Sequence, residues 1–176
     1  MQIYQFNISS IQFFENNFVD KIINKIKKYD LDPHFLIIEI TESIFLCQLN
    51  KAITDIRKLQ SYGIQIALDD FGTGYSSLVY LSAFKIDIVK IDKIFIKNFN
   101  SELSSAVIIK GIINMTRELK IKIVAEGIEN MDQLIFLKNL NCYTGQGFLY
   151  SKPVSLEEFS KKLEKRLCIP EAAHLE

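Results

Sequence analysis

Histidine is scarce in this chain and tryptophan is absent. The two histidines, His34 and His174, are too few and too far apart for a histidine metal site. The cysteines Cys47, Cys142 and Cys168 are odd in number and lack metal-ligand spacing. They read as reduced thiols of a cytoplasmic protein, buried as small hydrophobes. No apolar run reaches the roughly 18 residues that a membrane span needs. Met1–Phe6 has neither the basic region nor the apolar core of a signal peptide. Net charge is missing too, because Lys plus Arg and Asp plus Glu number 21 each among 176 residues. Nothing therefore draws the chain electrostatically to a nucleic-acid polymer or a membrane surface.

What is present is 48% hydrophobic content, enough for one globular domain with a real core. No linker, low-complexity tract or second domain interrupts residues 1–176, and 168–176 reads as a tail. Strand-like and helix-like segments alternate. Tyr4 to Ile8 predicts a short strand, and Ser9 or Ser10 a helix cap. Phe14, Phe18, Ile22, Ile26 and Tyr29 recur at helical spacing up to the breaker Asp30-Leu31-Asp32-Pro33. Phe35–Ile40 is nearly continuous in apolar residues, as a strand buried on both faces requires. Ala52, Ile56 and Leu59 mark a helix that Gly63 stops.

Ile64–Leu68 and Ile86–Ile91 are the next strands. Ser101–Lys120 is a long helix, and Ile121–Ala125 a fifth strand. Asn130 caps the helix Met131–Leu140, Gln146–Tyr150 is a sixth strand, and Ser155–Glu158 opens a final helix. Alternation of this kind argues for a parallel α/β architecture, and by itself leaves open sheet and barrel undistinguished.

Polar residues gather at the strand ends. Asn7 closes the first strand. Glu39 sits in the second, with Glu42 just beyond it. Asp69 and Asp70 close the third. Lys90 lies in the fourth, Glu126 ends the fifth, and Gln146 opens the sixth. Strand C-termini are where parallel α/β proteins build their sites. Adjacent carboxylates repel unless a cation lies beside them. Asn7, Glu39, Asp69 and Asp70 are hard oxygen donors, suited to Mg²⁺ or Mn²⁺ rather than zinc. Lys90 is a cation for a phosphate or for an ordered water. Each residue also has a plainer reading as a turn, an ion pair or a strand end. Glu39 resists it most, since a carboxylate in an apolar strand is costly unless paired. Asp70-Phe71-Gly72 lacks the glycine-rich loop and His-Arg-Asp of a kinase, and Gly72-Thr73-Gly74 is not followed by the Lys of a P-loop.

Ordered motifs carry a specific resemblance. Asn7-Ile8-Ser9, Glu39-Ile40-Thr41-Glu42, Leu68-Asp69-Asp70-Phe71-Gly72-Thr73-Gly74-Tyr75-Ser76-Ser77-Leu78, Lys90-Ile91-Asp92, Ala125-Glu126-Gly127-Ile128-Glu129 and Gln146-Gly147-Phe148 follow one another at the right intervals. From about Phe6 to about Phe159 the chain resembles the EAL-domain family of cyclic-di-GMP phosphodiesterases. The resemblance implies a TIM-type (β/α) barrel with two Mg²⁺ or Mn²⁺ ions at the strand C-termini. It implies Asn7, Glu39, Asp69 and Asp70 as metal ligands, Lys90 as a contact to water or phosphate, and Glu126 as general base. Gln146 would position water. Glu42 would brace the loop of Phe71, Gly72, Thr73 and Gly74, which in this family couples the metal site to dimerisation. Asp92 and Glu129 belong to the matched motifs. The implied reaction is in-line hydrolysis of one phosphodiester, opening cyclic-di-GMP to linear pGpG.

The Glu-Ala-Leu segment that names the family, and whose Glu is a metal ligand, does not occur in this sequence. A TIM barrel has eight strands in about 250 residues. The expectation is therefore an α/β fold forming an incomplete barrel that lacks about the first two strands and an Arg near the substrate phosphate. Its open edges call for a cover, such as a second copy in a homodimer or another partner. The alternative function is a catalytically inactive EAL-like module that binds cyclic-di-GMP or a protein.

Overall fold

A computed structural model describes residues 4–73, 81 and 84–164. In chain order the elements are β1 (Tyr4–Asn7), α1 (Ser10–Phe13), α2 (Phe18–Lys28), a 3₁₀ turn (Pro33–Phe35), β2 (Leu36–Thr41), α3 (Ser43–Cys47), α4 (Leu49–Ser61), β3 (Gln65–Phe71), β4 (Ile88–Ile91), α5 (Lys93–Asn98), α6 (Leu103–Glu118), β5 (Lys122–Ala125), α7 (Met131–Asn139) and α8 (Leu156–Glu164). Local chemistry sets several ends. Ser9 and Gln12 form a capping box before α1, and Asn130 and Gln133 form another before α7. The helical periodicity from Phe14 to Tyr29 is interrupted near its start, where Asn17 adopts a left-handed conformation just before α2.

The described strands form one parallel sheet in the order β1-β2-β3-β4-β5. Each strand joins beyond its predecessor with no reversal of order. This is the winding of a (β/α) barrel rather than of a doubly wound sheet. The core says the same. Ile38, Ile40, Ile66, Leu68, Val89 and Ile91 point to one face and pack with the buried side chains of the helices. Ile37, Ala67, Ile88 and Val124 point to the other face and form a separate cluster of strand residues alone. Helices on one face and a strand-only cluster on the other are the outside and inside of a barrel wall. β1 and β5 are the outer strands among the described residues, and β1 leaves Tyr4 and Phe6 exposed.

Two expectations need correction. The sixth strand, Gln146–Tyr150, reduces to a single bridge between Ala125 and Gly145. Because β5 ends at Ala125, no strand lies opposite these residues. They hydrogen-bond instead to the last residue of β5 and the turn beyond it, from Gln146 N to Ala125 O and from Leu149 N to Ile128 O, each at 2.9 Å. Gly147 passes so close to the Ile128 backbone that a side chain would not fit. The second correction concerns the thiols: Cys142 is buried as expected, whereas Cys47 is exposed at the end of α3. Cys168 and the tail lie outside the described residues. Among the described residues no helix is long and apolar enough to cross a membrane.

Candidate functional site

Strand register builds the site. Asn7 pairs with Glu39, Glu39 with Ala67, and Thr41 with Asp69. Side chains alternate faces along a strand. Glu39, Asp69 and Lys90 therefore stand above Ile37, Ala67 and Ile88 on the inner face. Between β3 and β4 the register breaks. Leu68 pairs with Val89 and Phe71 with Ile91, which leaves Asp69 and Asp70 together opposite Lys90. This is a β-bulge, a device that re-aims side chains beside active sites. Its cost falls on Asp70, held at φ +54°, a conformation that Asp tolerates better than most residues. Without the bulge, strict alternation would turn Asp70 away from Asp69.

Lys90 is the hub. Its side chain is 3% exposed, and its Nζ lies 2.9 Å from Glu39 Oε1, 3.2 Å from Asp69 Oδ1 and 2.5 Å from Glu126 Oε1. Burial alone would lower its pKa, but the bonds to Glu126 and Glu39 outweigh burial and raise it. Lys90 is therefore a fixed cation. Gln146, exposed in the turn after the bridge, donates from Nε2 to Glu126 Oε1 at 2.7 Å. Glu126 is pushed upward by burial first, with help from Asp69 and Glu39 and against the pull of Lys90. Desolvation, a hydrogen bond with Asp92 and the charge of Asp69 push Asp70 up to about 6.

Carboxylate oxygens of Asp69, Asp70 and Glu126 converge within 4.8 Å of one another. Glu39 lies against Lys90 rather than in that trio, and Asn7 adjoins Glu39 through the strand register. The cluster thus holds four carboxylates around one ammonium. All its donors are hard oxygens and none is a thiolate or an imidazole, which fits Mg²⁺ or Mn²⁺.

The surrounding loops are tied to this cluster. Glu42 Oε1 accepts from the Gly72 N–H at 3.5 Å. Thr73 Oγ1 donates to the Asp70 carbonyl at 2.8 Å, and Phe71 is buried. Gly72 has φ +97°, with the Phe95 ring 3.0 Å from where a Cβ would stand. Gly74 lies outside the described residues. Asp92 caps α5 through Ile94 N at 2.6 Å. Glu129 is exposed, and its N–H donates to Gln133 Oε1 at 2.7 Å.

Two features escaped the sequence reading. Gln133 is buried, accepts from both Glu129 N and Asn130 N, and donates to Ile96 O, so it ties the Glu126–Asn130 segment to α5. The capping-box spacing from Asn130 was the available signal for it. A cleft of about 710 Å³ opens beside Glu126 and Gln146, lined by Phe148, Tyr150, Phe159, Lys93 and Lys152 among others. The aromatic and lysine residues following Gln146 were its only trace in the sequence.

A parallel barrel wall with a carboxylate cluster at its strand C-termini defines an α/β protein with a candidate divalent-cation site. The comparisons make the family specific. The EAL domain model matches residues 1–153, and the chain belongs to that family. It is 38% identical over 152 residues to the bifunctional diguanylate cyclase/cyclic di-GMP phosphodiesterase MucR of Pseudomonas aeruginosa, covering 86% of this chain and 22% of that protein. The MucR phosphodiesterase solved as a c-di-GMP complex superposes with a TM-score of 0.85 at 37% identity, over 89% of this chain and 64% of that one. The EAL domain of Mycobacterium smegmatis DcpA gives a TM-score of 0.89 at 32% identity, over 96% and 75%. A manganese and cyclic-di-GMP complex of Klebsiella pneumoniae BlrP1 gives 0.79 at 26% identity, over 86% and 39%. The chain spans about a quarter of the length of the curated relatives it matches, 28% for one mycobacterial protein and 22% for MucR.

Proposed function

We propose that this chain is an EAL-type phosphodiesterase domain that hydrolyses cyclic-di-GMP to linear pGpG. The observation that carries the reading is the convergence of Asp69, Asp70 and Glu126 beside Lys90 at the strand C-termini. In this reading Asn7, Glu39, Asp69 and Asp70 hold two Mg²⁺ or Mn²⁺ ions, and the geometry adds Glu126 to the group sharing one point. Bound ions would neutralise the phosphodiester and acidify a water.

The chain's own residues supply the rest. Glu126, whose proton affinity is raised, takes the proton of the attacking water at its carboxylate. Gln146 fixes the orientation of that carboxylate. Lys90 offers positive charge to the phosphate as negative charge develops. Glu42 braces the Gly72 loop, and Asp92 braces Asp70. The cleft beside Glu126 takes the bases, with Phe148, Tyr150 and Phe159 as apolar and stacking surface. The sheet is read as part of a TIM-type barrel, in which β1 and β5 are the outer strands among the described residues.

Incubating the chain with cyclic-di-GMP and Mn²⁺, and following pGpG by chromatography, tests the proposal. The expected result is pGpG formation that Asp69→Asn abolishes. Binding of cyclic-di-GMP without any pGpG from folded, Mn²⁺-loaded protein refutes the enzymatic reading in favour of a binding module.

A further inference from the structure

We propose that Lys90 is a built-in competitor for the divalent-ion site: its ammonium occupies carboxylates that the metal needs, limits metal affinity and keeps the site folded without metal. The inference rests on the reading that these carboxylates hold a divalent ion. Lys90 lies within β4, on the inner face, with its side chain 3% exposed. An ammonium has three N–H donors. Three carboxylates, from Glu39, Asp69 and Glu126, stand within 3.2 Å of this one. These carboxylates are its nearest oxygen partners among the described residues.

Two of these three carboxylates, Asp69 and Glu126, also belong to the trio that converges on a common point with Asp70. The ammonium and a divalent ion therefore draw on the same oxygens. A metal entering the trio must take those oxygens from Lys90 or share them, and at this range like charges repel strongly. An ammonium drawn off these carboxylates is freer to turn toward a phosphate. Metal entry and phosphate recognition are coupled through this one side chain.

A lysine held away from the metal's oxygens would leave metal binding untouched when removed. A competitor behaves differently. In Lys90→Met the carboxylates are free for metal, while the metal-free protein holds buried like charges with no counter-ion. Mn²⁺ titration by calorimetry, paired with thermal denaturation with and without Mn²⁺, separates the two cases in wild type, Lys90→Met, Lys90→Arg and Asp69→Asn. The competitor model predicts Mn²⁺ affinity at least about tenfold tighter in Lys90→Met. It also predicts a larger Mn²⁺-dependent rise in melting temperature there, with Lys90→Arg close to wild type. A Lys90→Met protein that folds only with Mn²⁺ supports the inference equally. If Lys90→Met does not fold in either condition, the same comparison is made between Glu39→Gln and Glu39→Gln/Lys90→Met, which carry one charge fewer. Unchanged or weaker Mn²⁺ affinity on removing Lys90, with wild-type binding intact, overturns it. A wild type that binds no Mn²⁺ sensitive to Asp69→Asn overturns the metal reading itself, so the two failures are distinct.

Discussion

Glu126→Gln separates what this carboxylate does for the fold from what it does in the site. The substitution keeps the side-chain shape and removes one negative charge. Lys90 loses its ion pair with Glu126 but retains Glu39 at 2.9 Å and Asp69 at 3.2 Å. It is not left as a bare buried charge, the situation that costs about 3–5 kcal/mol. A second effect acts in the opposite direction. Burial, with the charges of Asp69 and Glu39, raises the pKa of Glu126 despite Lys90. A carboxyl raised on folding contributes stability below its unfolded pKa and loses that contribution as pH rises through the folded value. Where it is ionised, the carboxylate is a net cost, which an amide relieves. The two effects leave a stability change within about 1 kcal/mol of zero. For a domain of this size that is about 2–4 °C in melting temperature. Turnover falls by at least about 100-fold, because the amide cannot take a proton. Thermal denaturation at pH 7 beside the pGpG assay reads both quantities. A fall in melting temperature beyond about 8 °C, or a rate within a few-fold of wild type, refutes the assignment.

Three further outcomes follow from the geometry. Asp70 is raised from 3.8 to about 6, so its contribution to stability is full in acid and is withdrawn as pH climbs through that value. Metal-free Asp70→Asn should therefore gain melting temperature relative to wild type between about pH 4 and about pH 6 and hold that gain above, as a pH series of thermal melts would show. Gly72→Ala places a methyl group 3.0 Å from the Phe95 ring at φ +97°. It should cost about 1–3 kcal/mol by denaturant titration and lower turnover by displacing the loop after Asp70. Gln133→Leu removes the partners of Glu129 N, Asn130 N and Ile96 O, a loss of about 2–4 kcal/mol. Gln133→Glu keeps an acceptor for the two N–H groups and should recover part of that stability in the same titration.

The sequence made the strands legible where burial constrains both faces, as in Leu36-Ile37-Ile38-Glu39-Ile40, and made the helix starts legible where Ser9 and Asn130 cap them. The strand-end position of Asn7, Glu39, Asp69, Asp70 and Glu126 was equally readable, because each polar residue interrupts or ends an apolar run. Other features depend on neighbours far along the chain. The bulge that puts Asp69 and Asp70 on one side is a property of β3 against β4, and period-2 alternation predicts the opposite. Gln146–Tyr150 has the composition of a strand, but β5 ends at Ala125 and pairs with this segment only through the bridge at Gly145. The burial of Lys90 among three carboxylates was likewise invisible, since Lys-Ile-Asp in a strand is compatible with an exposed lysine. Cys47 shows the limit of composition: a free thiol is buried on average, yet this one ends a short helix on the surface.

The most direct measurement is an anomalous difference map from crystals of the chain grown with Mn²⁺ and cyclic-di-GMP. The predicted result is two manganese peaks about 3.5–4 Å apart, bounded by Asp69, Asp70 and Glu126 and set against a phosphodiester of the dinucleotide, with Lys90 drawn away from at least one of its carboxylates. Manganese absent from this cluster, or a dinucleotide bound with its phosphates remote from it, would contradict the reading of these strand ends as a phosphodiesterase site.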